Sequence, residues 1–418
     1  MSRDNPVAGL RGTRLMTRGR RALAANASSL RLGFGALLLS STGDLIAGVA
    51  LGSMSATLES LPGLLLLVPA AIGMRGNIFG ALGARLGTLA HTGRFDKPWQ
   101  VRSATGQSVA GSCLLTVYVS VALAVLAWLI TTLMGIPHIS LMDFLVISVL
   151  GGVASSVLVL GVTVWTARVA VRRGWDLDNV AAPVVTAIGD IVTLPALWLA
   201  AFAIRPEWLA TTLAIACLAV VVPVALWQYR YRVLTQMQRV VRQSLPLLLV
   251  AGTVDILAGY VLDSRTEAFL AMPGLLVMVP AFLEDVGALG SILASRLASK
   301  LHLGTLRPGR LPGRAVLTDI ALIGILGFPV FLLLGLTVTG VSAALGLAHP
   351  SLLMMLALTL LAGLFATSAA VLVAYYAAVG TFRLRLDPDN YGLPIITSTM
   401  DLVGTLSIAA GVVVLGLV

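Results

Sequence analysis

Four aspartates lie inside long apolar stretches of this sequence: Asp44, Asp190, Asp255 and Asp401. They form two pairs with one spacing, because Asp44 and Asp255 are 211 residues apart and so are Asp190 and Asp401. A carboxylate held at mid-membrane costs about 2.5–3.5 kcal/mol on insertion scales, so a buried acid in such a stretch calls for a function. The bland reading of any one of them is a snorkelling or protonated, hydrogen-bonded acid; two matched pairs weigh against it. Asp190 and Asp401 each follow a threonine by four residues, Thr186 and Thr397. That spacing puts hydroxyl and carboxyl on one helix face. Carboxylates facing one another across a two-fold axis form an acidic ring, which attracts cations and repels anions.

A second set of residues carries the same offset. Copy one reads Pro62-Gly-Leu-Leu-Leu-Leu-Val-Pro69 and then Gly73-Met-Arg-Gly76-Asn77. Copy two reads Pro273-Gly-Leu-Leu-Val-Met-Val-Pro280 and then Glu284-Asp285-Val-Gly287. Proline frees a backbone carbonyl, and glycine lets backbones approach. Freed carbonyls at membrane depth are tolerated only inside protein or a water-filled cavity. Such oxygens suit hard, hydrated cations. The structural alternative is a kinked packing helix. Glu284 and Asp285 stand where copy one has Gly73 and Met74, so the copies differ in charge at this place. The pair either joins the acidic centre or forms an ion pair with Arg75, the one basic residue inside a predicted helix. A third matched element is Asp176-Leu-Asp178-Asn179 with Asp387-Pro-Asp389-Asn390. Capping of the following helix is its leading reading, with a cytoplasmic ion vestibule alongside.

These residues must be positioned by membrane-spanning helices. The chain has 418 residues, 58% hydrophobic and 11% charged, against about 25% charged in soluble proteins. Apolar runs of about 20 residues or more recur at 32–53, 61–83, 105–134, 141–167, 180–204, 208–228, 244–262, 272–295, 314–341, 350–380 and 391–417. The pattern predicts an all-α polytopic membrane protein of 11 transmembrane helices, in which two parallel five-helix repeats are joined by one linker helix. Five crossings alone would invert the second copy; the unmatched segment 208–228 supplies the sixth and restores orientation. The predicted divisions are a cytoplasmic basic tail (1–31), a first repeat (32–204), a linker helix and cytoplasmic loop (205–243) and a second repeat (244–418).

The net charge of +10 has a local explanation. Of 28 Lys and Arg, 25 fall in loops on one predicted side, while Arg205 and Arg265 fall on the other. This positive-inside bias places the N-terminus in the cytoplasm and the C-terminus outside, and it removes the need for a nucleic-acid partner. The copies are then related by a pseudo-two-fold axis along the membrane normal, with the site between them. The expected location is the plasma membrane. The tail, with seven Arg in its first 31 residues, is expected to touch anionic lipid. Cys113 and Cys217 form no metal pattern, and His91, His138, His302 and His349 are scattered.

The string from Pro62 to Gly93, PGLLLLVPAAIGMRGNIFGALGARLGTLAHTG, resembles the MgtE-type magnesium transporters. Asp176 to Asp190, DLDNVAAPVVTAIGD, resembles the same family, and the two-copy form looks like its fused solute-carrier branch. The resemblance implies five-helix units paired around a central pore. An acid of helix five, with backbone oxygens near it and on helix two, would hold a largely hydrated magnesium ion. These roles fall on Asp190 and Asp401, with Asp44 and Asp255 matching the acid of the first helix. The short tail implies no regulation through large cytoplasmic gating domains.

The expected function is transport of a divalent cation, magnesium first, by a channel or by an exchanger coupled to sodium or protons. No catalytic role is assigned. The candidate site comprises Asp190, Asp401, Asp44, Asp255, Gly73, Gly76, Asn77, Gly287, Glu284, Asp285, Thr186 and Thr397. Because one chain supplies both units, a monomer should suffice. The alternative is an intramembrane magnesium-dependent prenyl or lipid transferase built on the Asp-x-Asp pairs, which would leave the central acids unexplained. A non-transporting scaffold leaves them unexplained too.

Overall fold

A computed structural model describes residues 27–95, 100, 102–173, 177–204, 207–230, 235–309, 311–384 and 393–417. They are helical almost throughout. The first five-helix unit contains α1 (Ala27–Ser53), the short α2 (Ser55–Ser60), α3 (Leu67–His91), α4 (Ala104–Met134), α5 (Leu141–Arg173) and α6 (Leu177–Phe202). A separate helix, α7 (Glu207–Arg230), follows. The second unit contains α8 (Thr235–Asp263), the short α9 (Thr266–Ala271), α10 (Gly274–His302), α11 (Arg314–Ala344), α12 (Leu352–Leu384) and α13 (Leu393–Val414). Shifted by 211, α2 falls on α9 and α5 falls on α12 residue for residue. Among the described residues nine helices are long and apolar enough to cross a membrane, and α7 adds the shorter apolar stretch Trp208–Ala219.

Local sequence accounts for the ends. Ser103 Oγ accepts the Gly106 N–H at 2.9 Å and opens α4, while Gly135 closes it with φ +67°. Asp143 and Ser140 bond reciprocally at the start of α5, as a helix-starting pair does.

The second helices depart from expectation. In copy one the interruption comes before Pro69: Gly63 has φ +81°, a 3-10 turn covers Leu64–Leu66, and α3 then runs unbroken through Gly73 and Gly76. Pro69 sits in the first turn of α3, where its missing N–H breaks no helical bond. In copy two α10 is continuous and contains Pro280. That proline costs one helical bond and leaves the Leu276 carbonyl, four residues earlier, without its usual donor. The proline-freed carbonyl expected in both copies is therefore present in copy two alone, at Leu276, and the helices run on through the glycines, which act through their missing side chains.

The two units interlock. α1 packs along α10 of the other unit, and α8 packs on α3 and its 3-10 turn. A Cβ added at Gly48 would overlap the Val277 carbonyl, and one at Gly259 would overlap the Leu66 carbonyl. Gly259 is Gly48 moved by 211, and Leu66 is Val277 moved back by the same number. Each first helix thus reaches across to the second helix of the opposite copy.

Candidate functional site

This exchange of first helices builds the site. α3, α10, α6, α13 and α1 enclose a cavity of about 400 Å3. It is lined by Asp44, Gly73, Gly76, Asn77, Thr186, Asp190, Glu284, Gly287, Thr397 and Asp401. Of the twelve residues singled out from sequence, ten are on this surface, and Asp255 and Asp285 are not.

The acids fall into two groups. Asp44 on α1, Asp190 on α6 and Glu284 on α10 lie within electrostatic reach of one another. Two of these come from the first unit and the third from the second. The other group is Asp401 on α13 and Asp255 on α8, and Asp401 joins the two because Glu284 and Asp190 are within its electrostatic reach too. It faces Gly73 of α3: a Cβ built there would be 3.1 Å from Asp255 Oδ2 and 3.5 Å from Asp401 Oδ2. Gly73 is the counterpart of Glu284. So each acid pair meets helix two of the opposite copy, and in one case that helix brings a carboxylate while in the other it brings a gap.

Burial makes the acids consequential. Asp44, Asp190 and Asp255 are 1%, 3% and 0% exposed. Both carboxyl oxygens of Asp44, both of Asp255 and Oδ2 of Asp190 lack hydrogen-bond partners. Buried polar atoms in native proteins are nearly all satisfied, so a cluster of unsatisfied acceptors marks a place for donors: water, protons or cations. The Asn77 amide nitrogen, also unpartnered, points to water in the same cavity. Among the described residues no three His, Cys, Asp or Glu side chains converge tightly enough to ligate a bare metal ion.

Two placements differ from the sequence reading. Asp285 is fully buried behind the cavity lining: its Oδ1 accepts the Ser41 hydroxyl of α1, while its Oδ2 has no partner and lies within electrostatic reach of Asp44 and Glu284. Copy one shows why it can be spared from the cavity: its equivalent is Met74, and the equivalent of Ser41 is Gly252, so the hydrogen-bonded pair of one copy is an apolar contact in the other. Arg75 pairs with neither Glu284 nor Asp285. Its Nε donates to Ser155 Oγ on α5 at 3.0 Å, away from the cavity.

Gly80 and Ser291 also line the cavity and were passed over in the sequence. Their signal was present, since they match at the 211 offset, one turn beyond Gly76 and Gly287. Asp319, likewise unremarked, is buried near the start of α11 and binds Arg296 Nε at 3.0 Å and Lys300 Nζ, a structural anchor. The histidines bind within the protein: His138 Nδ1 meets the Ile139 carbonyl and His302 Nδ1 the Ala298 carbonyl, both at 2.8 Å. The tail through residue 26, Asp176, Asp387, Asp389 and Asn390 lie outside the described residues, as do the side chains of Asp178 and Asn179.

Comparison with known proteins agrees with this duplicated arrangement. A family model described as a divalent cation transporter, MgtE, matches twice, over residues 68–200 and 279–410. Solute carrier family 41 member 3 of Rattus norvegicus is 25% identical over 402 residues, covering 88% of this chain and 83% of the relative. Member 3 of Mus musculus is 24% identical, covering 82% and 73%. Member 2 of Xenopus laevis is 24% identical, covering 89% and 69%. No solved structure matches significantly.

Proposed function

The chain belongs to the MgtE family of divalent cation transporters, and from that premise we propose that it carries magnesium, largely hydrated, through the cavity between its two units. Membership of a transporter family decides against the transferase alternative. The observation that carries the proposal is the convergence of four carboxylates from both copies on one cavity, Asp44, Asp190, Glu284 and Asp401, with no basic residue in its lining. Magnesium sheds its water reluctantly and prefers to keep several waters. A cavity of about 400 Å3 has room for the ion with its first shell, since each water takes about 30 Å3 of liquid. The lack of three acids converging on one point, among the described residues, fits outer-sphere binding, in which carboxylates accept hydrogen bonds from the ion's waters. In this reading Asp190 and Asp401 are the principal anions. Asp44 and Glu284 add charge on one side, and Asp255 supports Asp401 on the other. Thr186 and Thr397 offer hydroxyls, and Gly73, Gly76, Asn77 and Gly287 keep the passage wide.

The proposal extends to topology. Eleven crossings place the N-terminus in the cytoplasm of a plasma membrane and the C-terminus outside, as the loop charges require. The monomer is the working unit.

Flux of magnesium, calcium, manganese and sodium into proteoliposomes tests the reading. Magnesium uptake that is lost in the Asp190→Asn and Asp401→Asn variants supports it; wild-type uptake in both sinks it. A sodium or proton gradient that drives uptake assigns an exchanger, and flux indifferent to both assigns a channel.

A further inference from the structure

The first unit contains a charge that the cation cavity does not use. Arg75, in the middle of α3, is 1% exposed. Its Nη1 has no partner, and neither has the buried hydroxyl of Ser120 on α4. The two groups are neighbours: a methyl added at Gly152 of α5 would overlap both Ser120 Oγ and Arg75 Nη2. Ser155, which receives the Arg75 Nε, spends its own proton on the carbonyls of Gly151 and Gly152, at 2.8 and 3.2 Å. Among the described residues the ion pairs join Asp319 to Arg296 and Lys300; Arg75 has none.

The second unit shows what packing alone requires here. The residues 211 positions on are Val286 for Arg75, Phe331 for Ser120, Ala366 for Ser155 and Gly363 for Gly152. There the Phe331 ring lies directly against Gly363 and beside Phe282, with ring centroids 5.2 Å apart. So the glycine is common to both copies, while three side chains switch together from apolar to hydrogen-bond donating. Packing can be met without a charge. A buried guanidinium without a counter-charge is strongly unfavourable, and unpaired buried donors mark a place where a water or an ion belongs. The spare groups, Arg75 Nη1 and the Ser120 hydroxyl, are donors around a fixed positive charge. That combination selects a small anion.

We propose that Arg75 and Ser120 form an internal site for a small inorganic anion of the chloride class within the first unit, with Ser155 holding the guanidinium in place, and that the anion serves there as a resident counter-charge and not as cargo. The site stands apart from the cation cavity, and its test reads stability and anion density, so it succeeds or fails independently of the magnesium reading.

The purified full chain should unfold at a higher temperature in sodium chloride than in sodium gluconate of equal ionic strength, with a saturable dependence that bromide reproduces. Ser120→Ala should raise the half-saturating chloride concentration about tenfold, as expected for loss of a hydrogen bond to a charged group. The triple replacement Arg75→Val, Ser120→Phe, Ser155→Ala, which copies the second unit, should abolish the dependence. Anomalous scattering from bromide should peak between Arg75 and Ser120. Equal stability in the two salts with no bromide peak there would overturn the proposal in favour of water. A chloride effect undiminished in both variants would overturn it as well.

Discussion

At the scale of single residues, charge and its placement govern the cavity. Asp190 and Asp401 line it from equivalent helices of the two copies. An Asn keeps the shape and removes the charge. A unit charge about 5 Å from a dication, at an effective dielectric near 20, contributes several kcal/mol. Asp190→Asn or Asp401→Asn should therefore weaken magnesium binding by at least about tenfold, as titration calorimetry would register. Glu284 has a different test. Metal binding to carboxylates displaces protons, so affinity should rise with pH. Because Glu284 is in the lining while Asp285 is held by Ser41, Glu284→Gln alone should flatten that slope. Asp285→Asn should leave it in place. Equal effects of the two changes would show that the cavity reaches further than its described lining.

Among the elements, the first helices matter most because they cross between units. Gly48 lies on the Val277 carbonyl, and Gly259 on the Leu66 carbonyl. A side chain there meets backbone, which no change of rotamer relieves. Gly48→Leu or Gly259→Leu should destabilise by about 1–3 kcal/mol or more, read as a lower unfolding temperature in detergent. Flux should fall as well, since Asp44 and Asp255 ride on these same helices. Gly73 poses a subtler question. A methyl there would come within 3.1 Å of Asp255 Oδ2, so Gly73→Ala should fold and crowd the Asp255–Asp401 group. Magnesium affinity would then drop without a comparable loss of stability.

For the whole molecule, duplication and exchange together let one chain line the whole cavity. Each acid group faces a helix of the opposite unit, so neither half can enclose the cavity alone. Reconstitution at fewer than one chain per vesicle on average should give flux proportional to the fraction of vesicles that hold a protein. A steeper, second-power dependence would reveal a dimer as the working unit.

Much of this was legible in the chain itself. The all-helical membrane class follows from apolar runs that must satisfy their backbone groups internally. The duplication follows from one register, visible because Asp, Pro and Arg are rare enough inside apolar sequence to be matched individually. Asp44, Asp190 and Asp401 followed from the cost of burying charge, and Thr186 and Thr397 from helical period. Tertiary structure decided the rest. Periodicity says which residues share a face of one helix but not which helix that face meets. Hence the exchange of α1 and α8, the apposition of Gly73 to Asp255 and Asp401, and the capture of Asp285 by Ser41 had no local signature. Nor could the sequence tell whether proline and glycine break a helix or merely thin it, because that depends on whether a neighbour fills the space. Arg75 was conspicuous in the sequence as a charge inside a helix, yet its direction, toward Ser155 and away from the acids, is set by the packing of α3 against α4 and α5.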